Sequence, residues 1–194
     1  MVFDEYEIKY LISKKAYDKL SKVFFDSDSI TFEQVNYYYD TYDQKMRDKN
    51  ITARIREKNG KLMAVIKDHS AGIEHSKETR FRAESVSNMI TYNGEKLYLY
   101  GELYTKRTEI NIYDGITLML DYNKYLGTED YELELEYVPE FKEKANGIIL
   151  TLQAIFGFME TPELSKSKSE RFFIKLSDQS NMNHEGMAKN ELGK

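Results

Sequence analysis

Charged and apolar residues alternate one by one in segment after segment of this chain. Glu5, Glu7 and Lys9 interleave with Tyr6, Ile8 and Tyr10, and Glu132, Glu134 and Glu136 interleave with Leu133, Leu135 and Tyr137. Successive side chains of a strand point to opposite faces, so each run makes a strand with one charged and one apolar face. The same period predicts strands over 2–10, 32–40, 52–57, 61–67, 77–84, 103–113, 117–121 and 130–138. Asn59-Gly60 is a strong hairpin signal between the third and fourth of these, and Asp114-Gly115 joins two later ones. Helical spacing follows Ser13, a candidate N-cap, with Ala16, Leu20, Val23 and Phe24 as the stripe of a helix over 14–25. Residues 26–29 read as a polar turn, 45–50 as a turn or short helix and 85–92 as a short helix. Pro139 opens a helix to about Met159, a last helix covers 168–176, and 177–194 reads as a polar, disordered tail beyond a domain of residues 1–176.

Consecutive hairpin-linked strands favour an antiparallel sheet whose apolar face is covered by the helices. Such a sheet either lies open with its charges in solvent or closes so that the charges line a polar tunnel. A row of like charges repels itself, and a positive partner must come to the acidic face.

The chain has 194 residues, enough for one domain with a core of its own. Its 28 Lys and Arg against 33 Asp and Glu give a net charge of −5, and that mixture argues against a nucleic-acid binder, which is normally basic. Cysteine is absent, which removes disulfides, thiolate metal sites and thiol nucleophiles. The N-terminus is charged from Asp4, and no apolar run reaches the roughly 20 residues of a spanning helix. The expectation is a cytoplasmic protein, monomeric or homodimeric, without membrane or nucleic-acid partners.

The charged faces supply acids at Glu5, Glu7, Glu78, Asp121, Glu132, Glu134 and Glu136. They supply bases at Lys9, Arg54, Arg56, Lys67, Arg107 and Lys168, with Arg80, Arg82 and Arg171 as further candidates. Carboxylate oxygens hold hard cations such as Mg2+ or Mn2+, and guanidinium and ammonium groups hold phosphate oxygens. Together they make a phosphoryl-transfer site. On any single strand the same pattern is usually a solvated face; its recurrence favours convergence. The tyrosine cluster 37–39 reads as core. His69, His75 and His184 lack ligand spacing and read as surface residues, and no phosphate-loop or dinucleotide glycine pattern is present.

Glu5-Tyr6-Glu7-Ile8-Lys9 resembles the N-terminal signature of the CYTH superfamily, the triphosphate tunnel metalloenzymes. In the same order, Tyr37 to Thr41, Arg54-Ile55-Arg56 with Lys67, Thr105-Lys106-Arg107, Asp121, Tyr131 to Glu134 and Lys168-Ser169-Glu170-Arg171 resemble its later segments. The resemblance runs from about residue 3 to residue 173 and is nearest the small single-domain bacterial members. It implies an α+β fold, an eight-stranded antiparallel β-barrel tunnel with flanking α-helices. It also implies a metal-dependent triphosphatase using Mg2+ or Mn2+, with inorganic tripolyphosphate as the first substrate to consider. Class IV-type adenylate cyclase, thiamine triphosphatase and a non-catalytic polyphosphate-binding module are the alternatives. On this resemblance Glu5, Glu7, Glu132, Glu134, Glu136 and Asp121 are expected at metal. Lys9, Arg54, Arg56, Lys67, Arg107, Lys168 and Arg171 are expected at phosphate, and Glu5, Glu7, Lys9 and Glu134 nearest the chemistry. One segment departs from the family pattern: Glu78 to Arg82 carries arginines where acids are usual, leaving Glu78 or Glu74 as the equivalent acid.

Overall fold

The computed structural model describes residues 2–24, 28–70, 72, 74–158 and 166–191. The elements in chain order are β1 (Val2–Ile12), α1 (Lys14–Phe24), β2 (Ile30–Asp40), α2 (Lys45–Asp48), β3 (Ile51–Lys58), β4 (Lys61–Asp68) and β5 (His75–Arg82). They continue with β6 (Met89–Tyr92), β7 (Glu95–Tyr113), β8 (Ile116–Tyr125), β9 (Thr128–Tyr137), a 3-10 turn (Pro139–Phe141), α3 (Lys142–Phe156) and α4 (Lys168–Glu191). All strand pairs are antiparallel, in the order β2-β3-β4-β5-β1-β9-β8-β7, and β2 pairs back onto β7. Eight strands therefore close into a barrel, with β6 added as a short flap on the start of β7.

The apolar faces point outward. Ile8, Tyr10 and Ile12 of β1, Leu118 and Leu120 of β8 and Leu133 and Leu135 of β9 bury against Ala16 and Leu20 of α1 and Ala145, Ile149 and Leu152 of α3. Ser13 caps α1 as expected, accepting a hydrogen bond from the Ala16 amide at 3.2 Å. Val23 departs from the expected stripe and is exposed. On the opposite side Tyr39, Ala53, Ile55, Ala64 and Ile66 bury under Met46 of α2 and Leu97 beside β6. Asp40 ties α2 to β2 by accepting the Met46 amide at 3.0 Å.

At one end of the barrel the inward positions turn apolar. Tyr38, Leu103 and Tyr125 pack on Phe172 of α4, which covers that end. Gly101 makes room for it: a Cβ there would lie 2.9 Å from Phe172 Cζ.

Three expectations change. The segment 85–92 is not a helix; 89–92 is β6, turned into β7 by Asn93-Gly94, both at positive φ (48° and 81°), as the two-residue hairpin geometry requires. The strand expected from Leu103 starts at Glu95. The last helix runs past Leu176 to Glu191. Of the turn expected at 26–29, residues 26 and 27 lie outside the described residues and 28 is in a turn. Among those described, no helix is long and apolar enough to cross a membrane.

Candidate active site

The inward faces of the strands carry the charges that alternate in the sequence. Glu5, Glu7 and Lys9 of β1, Glu132, Glu134 and Glu136 of β9, Arg107 of β7, Arg54 and Arg56 of β3 and Lys67 of β4 all line one lumen, together with Lys168 of α4. With these side chains in place the lumen is a narrow cavity of about 80 Å³.

Register brings the acids together. Glu7 stands directly opposite Glu136 across β1 and β9, the arrangement in which like charges repel. Glu5, on the same face, completes a trio with one carboxylate oxygen from each residue inside 4.8 Å of the others. Burial and then the neighbouring Glu5, Glu134 and Glu7 push the Glu136 carboxyl up to about 8. Glu7 behaves oppositely. Burial alone would raise it, but Lys67 and Lys9 outweigh burial and hold it well below the usual carboxylate range. Lys67 Nζ lies 2.8 Å from Glu5 Oε2 and 2.9 Å from Glu7 Oε1, and Lys9 Nζ lies 2.9 Å from the same Glu7 oxygen.

A second cluster lies around α4. Lys168 reaches Asp121 and Glu132 at 2.8 Å each and also pairs with Glu134. Arg107 forks onto Asp121 at 2.8 and 2.7 Å and shares Glu134. Arg171 binds Asp130 at 2.9 Å and Glu132 at 2.7 Å. The cations here rise above their ordinary values, because these carboxylates outweigh burial. The capping box Ser167 to Glu170 fixes the start of α4: the Ser167 amide donates to Glu170 at 2.8 Å and the Glu170 amide to Ser167 Oγ at 3.2 Å.

Arg56 is different. Its Nε donates to Asn36 Oδ1 at 3.0 Å, and among the described residues no carboxylate is within ion-pair distance. Burial, with Arg54 and Arg107 nearby, brings its guanidinium down to about 9. Beside it Arg54 makes a long contact, 3.4 Å, with the fully buried Glu78, and its Nε lacks a hydrogen-bond partner. Buried cations short of anions are unstable alone and suited to an incoming anion.

A family model for the CYTH domain matches residues 4–168. The chain belongs to the CYTH domain family. It is 26% identical over 149 residues to a candidate triphosphatase of Bacillus subtilis (strain 168), YjbK, across 68% of this chain and 76% of that protein. Among solved structures it resembles a candidate adenylate cyclase of Bacillus halodurans, with a TM-score of 0.71 and 28% identity over 89% of this chain and 98% of that one. A candidate adenylyl cyclase of Hippeastrum, described as having a dominant triphosphatase activity, shares the fold. Its TM-score is 0.68 at 20% identity, over 87% of this chain and 94% of that one.

In this CYTH barrel most of the residues singled out from sequence face the lumen, but they fall into two sets. Glu5, Glu7 and Glu136 form the carboxylate trio. Asp121, Glu132 and Glu134 are engaged by Arg107, Lys168 and Arg171. Asp121 and Arg171 do not line the lumen. Arg80 lines it and pairs with Glu78, whereas Arg82 is exposed. Sequence reasoning missed Gln34, Thr52, Ser167 and Ser169, which also line it. It also placed His69 at the surface. His69 follows β4, lines the lumen, and is pushed down to about 4 by burial, Lys67 and Lys9. His75 stacks on Tyr6 and pairs with Asp4 at 2.8 Å; His184 lies where side chains are not described.

Proposed function

We propose that this CYTH protein hydrolyses linear triphosphates, with inorganic tripolyphosphate as the preferred substrate and Mg2+ or Mn2+ as cofactor. One observation carries the reading: a trio of carboxylates and the carboxylate-free guanidinium of Arg56 line the same lumen. The trio fits a hard divalent ion, because it offers oxygen ligands alone and its mutual repulsion is relieved by positive charge. Such an ion, when bound, polarises phosphoryl oxygens and lowers the pKa of water.

The chain's own residues do the rest. Arg54, Arg56, Lys67 and Lys9 bind phosphate oxygens and offset the charge that develops on the transferring group. Arg107 and Lys168 do the same after exchanging Glu134 for phosphate, which leaves Glu134 able to ligate metal or accept a proton from water. Asp121, Glu132 and Arg171 orient those two cations. The lumen lining has one aromatic ring among the described residues, His69, and so offers little to stack a nucleobase. The triphosphatase assignment of the Bacillus subtilis relative agrees with this reading.

The test is a panel of tripolyphosphate, ATP and thiamine triphosphate with Mg2+, Mn2+ or EDTA, read for phosphate and for cyclic nucleotide. Metal-dependent phosphate release, greatest from tripolyphosphate, is expected. Folded protein that releases no phosphate from any of them, or that forms cyclic nucleotide from ATP, overturns the proposal.

A further inference from the structure

Lys67 occupies the place where the metal reading needs free ligands. Its Nζ lies 2.8 Å from Glu5 Oε2 and 2.9 Å from Glu7 Oε1, so one ammonium neutralises two of the three carboxylates of the trio. Lys9 shares only Glu7, and Glu136 has no cation within ion-pair distance among the described residues. An ammonium and a divalent ion cannot both stay against the same carboxylate oxygens without strong like-charge repulsion. Lys67 is buried, but it can turn about its own stem. Its charge rides on a flexible four-carbon stem with rotatable donors, unlike the fixed fork of an arginine. Released from the trio, it stays in the lumen it already lines, beside Arg54.

Resting on the metal reading above, we propose that Lys67 is an exchangeable internal counter-ion. It holds Glu5 and Glu7 in the metal-free tunnel and turns to the phosphate chain when a divalent ion takes those carboxylates, so that metal and substrate bind with positive coupling. The coupling is reciprocal: whatever frees Lys67 for phosphate also favours metal. A lysine that only positioned the carboxylates would behave in the opposite way, since its loss would weaken metal binding.

The experiment is calorimetric titration of the full chain with Mn2+ alone, at neutral pH, for native protein, Lys67→Met, Lys67→Gln and Lys67→Arg, with melting curves on the same samples. Removing the ammonium should tighten Mn2+ binding by roughly 5- to 150-fold, the usual span of a coupling between sites. Lys67→Arg should stay near native. Equal or weaker Mn2+ binding by Lys67→Met and Lys67→Gln, with native protein binding Mn2+, overturns the proposal. Native protein that binds no Mn2+ instead overturns the underlying metal reading. If one neutral variant does not fold, the other decides the outcome. The hand-over is read separately from the tripolyphosphate-induced rise in melting temperature in EDTA. Lys67→Met should keep most of the native rise there, while its KM with Mn2+ increases. A loss in EDTA as large as the loss with metal refutes the exchange.

Discussion

Replacing Arg56 by methionine should make the ligand-free protein more stable and nearly inactive. The guanidinium falls from its ordinary value to about 9 because burial, Arg54 and Arg107 all oppose its charge. At about 1.4 kcal/mol per pH unit this is at most about 5 kcal/mol against the charged form. Solvent in the lumen screens it to about 2–3 kcal/mol. The substitution also strips Asn36 Oδ1 of its 3.0 Å donor, which costs about 1 kcal/mol. A net gain of about 1–2 kcal/mol remains, or roughly 2–8 °C in melting temperature for a chain of this size. The sign follows from linkage. A base with a depressed folded pKa destabilises the fold at every pH below about 9, and the cost fades as pH rises from there. The gain should therefore be full at neutral pH in EDTA, followed by circular dichroism. Tripolyphosphate should raise the melting temperature of native protein more than that of the variant. The kcat/KM for phosphate release should fall roughly 10²- to 10³-fold, as when one donor to developing negative charge is removed. A lower melting temperature, or activity within a few-fold of native, would refute the argument that Arg56 is held for an incoming anion.

Lys168→Met should do the reverse: leaving Asp121, Glu132 and Glu134 short of their shared cation should cost about 3–5 kcal/mol. Urea denaturation measures this, and unchanged stability would rule out the shared-cation role. Glu136, raised to about 8, holds a proton that the unfolded chain releases near 4.5. Stability of the metal-free protein should therefore fall as pH rises between those values. Glu136→Gln should flatten that slope in urea titrations across the same range, and an unaltered slope would reject the assignment. Gly101→Ala drives a methyl to 2.9 Å from Phe172 at φ +148° and should cost about 1–3 kcal/mol by thermal melting. Phe172→Leu in the same chain should recover part of that loss, and no recovery would argue against the contact.

Strands whose faces differ in polarity were legible because their period is local. β1, β3, β4 and β9 fall within two residues of expectation, and the parity of Glu5, Glu7 and Lys9 correctly put them on one face. The β6 flap was not legible as a strand: Ser85, Ser87 and Asn88 before it are polar, and the signal lay in the Asn93-Gly94 turn rather than in the segment itself. Closure through β2 and β7 joins residues about seventy apart in sequence, and nothing local specifies that pairing. The same limit applies to the site. Glu132 and Glu136 look alike in sequence, yet Glu132 is held by Lys168 and Arg171 from α4, while Glu136 faces Glu7. Which acid is neutralised and which is frustrated depends on register and on helix docking. His69 was missed for a related reason, since the chain leaving β4 carries it over the lumen without any spacing that announces it.

The pairing of β2 with β7 closes the ring of eight strands. Parting β2 from β7 would break an eleven-pair ladder, so the closing strands hold that side of the wall together. A ligand that enters along the barrel axis must pass within this ring of strands, and cross-section becomes a criterion of selection independent of charge. A linear chain of phosphates is one tetrahedron wide along its whole length. The cyclic trimer, a polyanion built of the same groups but broader, would be turned away by shape before its charge could matter.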